Sequence, residues 1–173
     1  MQTFDALFEA TLKDIYYAEK AILKALPKMS KKTSSKKLQQ SFAKHIKETE
    51  TQVKRLEKVF EMIGKRPVGK KCHAIDGIIE EGEEIMKEAK DETIRDAGIL
   101  AAAQAVEHYE ISRYGTLAAW ADKMGKPEVV SLLGATLAEE KATDEALSEL
   151  AESEINISAH QGEPNVKRRQ ARM

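Results

Sequence analysis

Two glutamates one helical turn apart, Glu107 and Glu110, lie within the most apolar stretch of the sequence, residues 93–124. At 3.6 residues per turn they share one stripe with apolar residues such as Leu100 and Leu117. Two carboxylates on an inward helix face are unfavourable unless positive charge compensates them. We therefore predict that other helices bring further ligands to the same place, and that a pair of metal ions supplies the compensating charge.

The apolar stripes of the three other long amphipathic segments are also interrupted by polar residues near their middles. The interruptions are Glu19 in the first segment, His45 and Glu48 in the second, and Glu140 and Asp144 in the last. In an antiparallel helix pair, residues equally far from the connecting turn lie at equal height, at about 1.5 Å per residue. Counted from turns near Lys32 and Lys126, all the interruptions agree in height to roughly one helical turn. The sequence thus predicts a single polar layer near the middle of a bundle.

The predicted layer holds the candidate metal ligands. They are Glu19, His45, Glu48, Glu107, Glu110, Glu140 and Asp144. Without metal, such a cluster must keep protons or admit water, because buried like charges raise one another's pKa. A site with many carboxylate oxygens and one imidazole favours iron or manganese over copper or structural zinc. We expect two iron or manganese ions per chain, bridged by carboxylates between four helices.

Simpler roles stay open for several of these residues. A small rotation of the first helix would expose Glu19 to solvent beside Lys20. His45 could be a hydrogen-bonded core histidine that orients a neighbouring carboxylate. Asp144 could accept a hydrogen bond from a ligand, or pair with Lys141 at helical spacing.

We expect the four tyrosines and the single cysteine to have structural roles. Tyr16, Tyr17, Tyr109 and Tyr114 are expected in the core with satisfied hydroxyls, and donation to a metal-binding carboxylate is the alternative. Cys72 lies between basic residues that could lower its pKa and make it reactive, but a structural thiol is the expectation.

Four long helices must position this layer. Their predicted ranges are 3–28, 35–63, 93–124 and 127–157, with a shorter helix at 74–89 in the long connection between the second and third. Gly64 and Gly125 are natural helix stops, and Pro127 suits a first helical position. The long connection lets the second and third long helices run parallel. We predict an all-α four-helix bundle over residues 1–158, a loop at 28–35, and a basic, disordered tail at 159–173.

Composition and charge exclude several classes of function. The net charge of -1 gives no overall basic field for nucleic acid. A single cysteine excludes an internal disulfide and suits a reducing cytoplasm. No apolar run approaches the roughly 18 residues of a membrane span, and the first residues lack the pattern of a signal peptide. A cytoplasmic protein without membrane insertion is therefore expected.

The motifs around the candidate ligands resemble those of the YciE/YciF-type branch of the ferritin-like superfamily, a group of bacterial stress-induced proteins. The resemblance covers about residues 3–151. It rests on Asp14-x-Tyr16-x-Ala18-Glu19, His45-x-x-Glu48-Thr49-x-x-Gln52, Lys71-Cys72, Gly77-x-Ile79-Glu80-Glu81, the stretch 102–117, and Leu137-x-Glu139-Glu140-Lys141-Ala142-Thr143-Asp144. It implies a ferritin-like four-helix bundle with a crossover helix, a dimetal site and a homodimer.

The sequence departs from the usual ferritin-like pattern, in which two helices each carry Glu-x-x-His. The second helix has the reversed order His45-x-x-Glu48, and Thr143 takes the histidine position after Glu140. One imidazole instead of two puts ordinary di-iron oxygen chemistry in doubt and shifts the expected selectivity towards manganese.

Three functions remain compatible with these residues. The first is a dimetal redox protein that consumes a small oxidant, peroxide or oxygen, during stress. The second is a non-enzymatic bundle that binds a partner, with metal only as a structural clip. The third, iron oxidation and storage, would need a closed shell of many subunits. The residue pattern does not decide whether the protein is an enzyme.

Overall fold

The computed structural model describes residues 1–162 of the chain, and every regular element among them is helical. In chain order these are α1 (Phe4–Lys32), α2 (Lys36–Met62), α3 (His73–Glu88), α4 (Glu92–Lys123), α5 (Pro127–Leu150), a π-helical turn (Ala151–Ile155) and α6 (Asn156–Gly162). The predicted all-α bundle with a short helix in the crossover is confirmed. No helix in residues 1–162 has an apolar stretch long enough to cross a membrane.

Hydrogen bonds between helices fix their directions. Thr33, just after α1, donates to Asp96 near the start of α4, whereas Asp14 near the start of α1 accepts from Tyr109 far along α4. Helices α1 and α4 are therefore antiparallel. Because a three-residue turn joins α1 to α2, α2 runs parallel to α4, as the crossover predicts.

A buried carboxylate holds the turn between α1 and α2. Asp96 accepts hydrogen bonds from the Thr33 hydroxyl at 2.6 Å and from the Ser34 amide and hydroxyl at 2.9 and 2.6 Å. It also accepts from the Ser35 amide at 3.0 Å, and Ser35 in turn caps α2 by accepting from the Leu38 amide. Donors to a carboxylate make strong hydrogen bonds, so this contact fixes the start of α2 against α4.

The first helix is longer than the sequence predicts. It continues through Pro27 to Lys32, so the loop expected at 28–35 shrinks to residues 33–35. A proline inside a helix removes one hydrogen bond. Here Pro27 is exposed, while Leu26 and Met29 on either side are buried in the core, and their packing outweighs the lost bond.

The last helix also extends further than predicted. After the π-helical turn, α6 continues to Gly162, five residues past the predicted end at 157. Ile155 and Ala159 are buried there, so a short apolar face keeps this segment packed against α4. The remainder of the tail predicted to be disordered, residues 163–173, lies outside the described residues.

Candidate metal centre

Five ionisable side chains from all four long helices meet inside the bundle. Their exposed fractions are 0% for Glu19, 2% for His45, 2% for Glu107, 0% for Glu110 and 0% for Glu140. One ligand atom from each of the last four lies within 4.8 Å of the others, and this is the group of potential metal ligands found in residues 1–162. We call these five residues the carboxylate–histidine cluster.

His45 faces carboxylates on both sides of its ring. Its Nδ1 lies 3.5 Å from Glu107 Oε1, and its Nε2 lies 4.0 Å from Glu110 Oε2. Burial lowers the pKa of His45 to about 4, with the charge of Lys44 acting in the same direction. The imidazole is therefore neutral at neutral pH and keeps a lone pair that can bind a metal ion.

The atoms at the centre of the cluster lack partners. In the part of the chain that the structure describes, buried atoms without a hydrogen-bond partner include Glu19 Oε2, both ring nitrogens of His45, Glu107 Oε2, and both carboxyl oxygens of Glu110 and of Glu140. Native proteins leave few buried polar atoms unsatisfied. This many unpaired acceptor atoms around one point is the arrangement expected of a cation site, in which the atoms would bind the ions directly.

The cluster holds protons when no cation is present. Burial raises the pKa of Glu107, Glu110 and Glu140, and neighbouring carboxylates raise it further. Burial also raises the pKa of Glu19, although a hydrogen bond from Tyr114 acts the other way. Once ionised, these four glutamates carry four negative charges, which two divalent cations would neutralise.

Tyr114 is a functional candidate, because it is buried in the core as expected and also makes the contact to a predicted ligand that the sequence left as the alternative. Its side chain is fully buried, and its hydroxyl donates a hydrogen bond to Glu19 Oε1. Burial, and then the charges of Glu19 and Glu110, hold the pKa of this phenol well above its usual value, so it keeps its proton. Its spacing of four residues from Glu110 puts both on one helix face, a signal already present in the sequence.

The two remaining predicted ligands lie at the margins of the cluster. Glu48 has a side chain 23% exposed, with Oε1 3.1 Å from Lys44 Nζ and with Oε2 buried without a partner. Asp144 is equally exposed and points elsewhere, with Oδ2 3.1 Å from His108 Nε2 and Oδ1 3.4 Å from Gln104 Nε2. The structure thus brings five predicted ligands together and leaves Glu48 and Asp144 beside them, close enough for the charge of each to raise the pKa of Glu107.

A half-buried ion pair next to the cluster was not anticipated from the sequence. Arg55 donates two hydrogen bonds to Glu139, at 2.6 and 2.7 Å, and Gln52 donates a third at 3.1 Å. The pair lies one residue from Glu140 in sequence and ties α2 to α5. Arg55 lies 23 residues after Lys32 and Glu139 lies 13 residues after Lys126, so counting from the turns does not single out this pairing.

Four long helices around buried carboxylates and one imidazole define a helical bundle with a candidate metal centre. Residues 3–160 match the family described as a domain of unknown function, DUF892, and the chain belongs to that family. It is 42% identical over 160 residues to Protein YciF of Escherichia coli (strain K12), a match that covers 92% of this chain and 96% of that protein. The resemblance to the YciF type is confirmed.

Solved structures agree with this assignment. The crystal structure of the Escherichia coli stress protein YciF is similar at a TM-score of 0.86 and 43% identity, covering 90% of this chain and 99% of that chain. YcfI from Rhodopseudomonas palustris, for which a structural role has been suggested, gives a TM-score of 0.84 and 48% identity over 85% of this chain and 94% of its own. A Xanthomonas campestris protein, 20% identical with a TM-score of 0.72 over 92% of this chain and 98% of its own, shares the fold.

Proposed function

We propose that this protein acts in a bacterial stress response by binding two iron or manganese ions in the carboxylate–histidine cluster and consuming peroxide or oxygen. One observation carries the proposal: unpartnered buried acceptor atoms from four helices converge on one point. The similarity to a protein described as a stress protein supports the physiological setting. The two-ion stoichiometry follows from charge, since four buried carboxylates need four compensating charges.

The chain's own residues would hold the reacting centre in a fixed and dry environment. When bound, two divalent ions supply one electron each, which with two protons reduces one hydrogen peroxide to two waters, and an external reductant must return both electrons. Tyr114 holds a proton at its hydroxyl oxygen and presents it to Glu19. The neutral imidazole of His45 offers a nitrogen lone pair between Glu107 and Glu110. Burial of all five cluster residues excludes bulk water, which limits side reactions.

A small oxidant would approach the cluster past Glu48. This residue joins the buried centre to a surface groove of about 440 Å³ that Lys44, Lys47 and Thr51 also line. Its carboxylate has one oxygen near Lys44 and the other buried, so a modest side-chain movement would open the centre to a molecule of the size of peroxide.

A bundle without turnover is the alternative function. The structural role suggested for YcfI from Rhodopseudomonas palustris favours it, and metal would then only stabilise the helices. Iron storage is a weaker candidate because it needs a closed shell of many subunits. A homodimer on a sizing column, as the family resemblance implies, would count against storage.

Metal content is the decisive measurement. Untagged protein is purified without added metal and assayed for iron and manganese per chain, and then for metal-dependent loss of hydrogen peroxide. The test variant is Glu140→Gln, which removes a buried carboxylate and keeps the side chain's shape. The control is Glu145→Gln, which makes the same charge change at an exposed position on the same helix.

About two ions per chain, with peroxide consumption in the native protein and in Glu145→Gln but not in Glu140→Gln, would support the proposal. One ion per chain would contradict the dimetal assignment. Two ions without peroxide or oxygen consumption would favour the structural alternative. No metal, with no change in thermal unfolding on adding ferrous or manganous ion, would exclude the metal centre altogether.

A further inference from the structure

A strongly basic pocket lies at one end of the bundle. It has a volume of about 810 Å³ and is formed by the last turns of α1 and α3 and the first turn of α4. Its charged lining consists of Lys28, Lys31, Lys32, Lys87, Lys90, Arg95 and Glu83. Six positive charges against one negative give the pocket a net charge of +5, although the whole chain carries -1. Positive charge is therefore concentrated here and balanced elsewhere.

Most of these cations have no side-chain partner among residues 1–162. Lys28 pairs with Glu83, with Nζ 2.9 Å from Oε1. The ammonium groups of the four other lysines of the pocket make no hydrogen bond or ion pair with any residue in 1–162. Like charges that converge on one cavity repel each other, and a bound anion would relieve that repulsion.

Helix dipoles account for only part of this charge. Lys31 and Lys32 in the last turn of α1, and Lys87 in the last turn of α3, complement the negative ends of those helices. Each helix end is equivalent to about half a negative charge, so two ends offset only about one of the five surplus positive charges. A surplus of about four positive charges remains for a ligand.

The pocket has a fixed wall and an apolar floor. Arg95 donates to the carbonyl oxygens of Ala89 at 3.0 Å and of Lys90 at 3.1 Å, which holds the connection between α3 and α4 in place. Met86 and Ala89 give the cavity apolar surface between the lysines. Ligand pockets of a few hundred to about 1,000 Å³ with such mixed lining accommodate small molecules.

We propose that this pocket binds a small molecule with at least two phosphate groups and a less polar body, the chemistry of a nucleoside diphosphate. Lysines from α1 and α3 would surround the phosphates, and the body would lie against Met86. Such a site is independent of the metal centre, because Arg95 precedes Glu107 by twelve residues on α4, or about 18 Å.

A single-stranded nucleic acid fits these observations less well. The neighbouring groove, of about 600 Å³, shares Lys28 and adds Lys20 and Lys24, but Asp76 reduces its net charge to +2. The positive charge is therefore densest in the pocket, at +5, and falls along the groove that a longer strand would follow.

Isothermal titration of the full-length protein with ADP and with inorganic pyrophosphate, in low-salt buffer free of phosphate, tests the proposal. The variant Lys31→Ala/Lys87→Ala removes one unpartnered ammonium group from each side of the pocket. The control, Lys54→Ala/Lys58→Ala, removes the same charge from an exposed face of α2. Both variants keep the carboxylate–histidine cluster. Any binding of the phosphate probes to a metal ion there would therefore contribute equally to the two titrations.

We expect saturable binding of both probes, about tenfold or more weaker in the pocket variant and unchanged in the control. Tighter binding of ADP than of pyrophosphate would support the proposal that the apolar floor contacts the body of the ligand. The proposal is overturned if neither probe binds, or if both variants weaken equally, which would indicate general charge attraction. It is also overturned if a thymidine oligonucleotide or an acidic peptide binds and both phosphate probes do not.

Discussion

The Tyr114 hydroxyl has a defined position against a predicted metal ligand. It donates to Glu19 Oε1 in a fully buried environment, whereas the other oxygen of Glu19 lacks a partner and faces the cluster. A hydrogen bond of this kind fixes the orientation of a metal-binding carboxylate and leaves one oxygen for the ion. At the residue scale, Tyr114 is therefore a positioning residue for the proposed centre.

Tyr114→Phe should weaken metal binding while keeping the fold, because phenylalanine preserves the packing and removes only the hydroxyl. Loss of a group that orients a ligand typically reduces metal affinity by about 10- to 100-fold. The matched control is Tyr16→Phe, since Tyr16 is 4% exposed and donates to Glu57, away from the cluster. Competition titration with manganous ion measures both affinities. Equal affinities in the two variants would show that the hydroxyl of Tyr114 has no such role.

The sequence pattern could not separate the roles of Glu140 and Asp144, which lie four residues apart on one helix. Glu140 and Asp144 differ by about 40° in direction and 6 Å in height, so hydrophobic periodicity assigns both to the same stripe. In the structure only Glu140 points into the cluster, while Asp144 contacts His108 and Gln104 on α4. Which of the two side chains points into the cluster depends on the rotation of α5 about its own axis. Neighbouring helices set that rotation, and the local sequence pattern does not encode it.

At the scale of whole elements, the crossover helix depends on a close approach to α4. A Cβ atom added at Gly98 of α4 would lie 2.3 Å from Ile85 Cγ2 of α3. Only a glycine lets the two helices come this near. Nothing in the sequence pattern singles out this glycine, because the contact depends on where α3 lies across α4.

Alanine substitutions at two helical glycines should therefore have opposite effects. Gly98→Ala should reduce the free energy of unfolding by about 1–3 kcal/mol, because Ile85 or the whole of α3 must shift. Gly134→Ala, in α5, meets no atom within 4 Å and should raise it by about 0.5–1 kcal/mol through helix propensity. Urea unfolding compares the two. A stabilising effect of both substitutions would mean that α3 is not packed closely on α4.

The presence of the long helices and the heights of their buried polar residues along the bundle could be predicted from the sequence, because both follow from the regular geometry of a helix. Gly64 and Gly125 end α2 and α4 with φ of 67°, and the five cluster residues share one layer, as counting from the turns predicts. Helix ends were less predictable. Pro27 and the π-helical turn at Ala151–Ile155 continue helices because buried neighbours hold them, and such tertiary packing is absent from local sequence.

At the scale of the whole molecule, the cluster makes stability depend on pH and metal together. In the metal-free fold, burial and neighbouring carboxylates raise the pKa of Glu19 to about 7, of Glu107 to about 8 and of Glu140 to about 11. In the unfolded chain these groups ionise near 4.5. Between pH 6.5 and 8 the folded protein therefore binds more protons than the unfolded chain, and its stability falls as pH rises.

His45 does not alter this direction. Its pKa falls from 6.5 to about 4 on folding, so the unfolded chain binds its extra proton only below about pH 6.5. Above that pH the imidazole is neutral in both states, and the glutamates alone determine the slope. Each carboxyl that stays protonated in the folded state contributes about 1.4 kcal/mol per pH unit.

Metal should remove this slope, because the ligands bind as carboxylates and the folded protein then holds no extra protons. We expect the free energy of unfolding to fall from pH 6.5 to 8 in chelator and to stay nearly constant over the same range with excess manganous ion, because the glutamates then carry no protons in either state. Urea unfolding at four pH values measures both curves. Glu140→Gln should flatten the chelator curve by about 1.4 kcal/mol per pH unit, since one retained proton is gone, whereas Glu145→Gln should leave it unchanged. Parallel curves with and without metal would mean that the buried glutamates are not the groups that bind it.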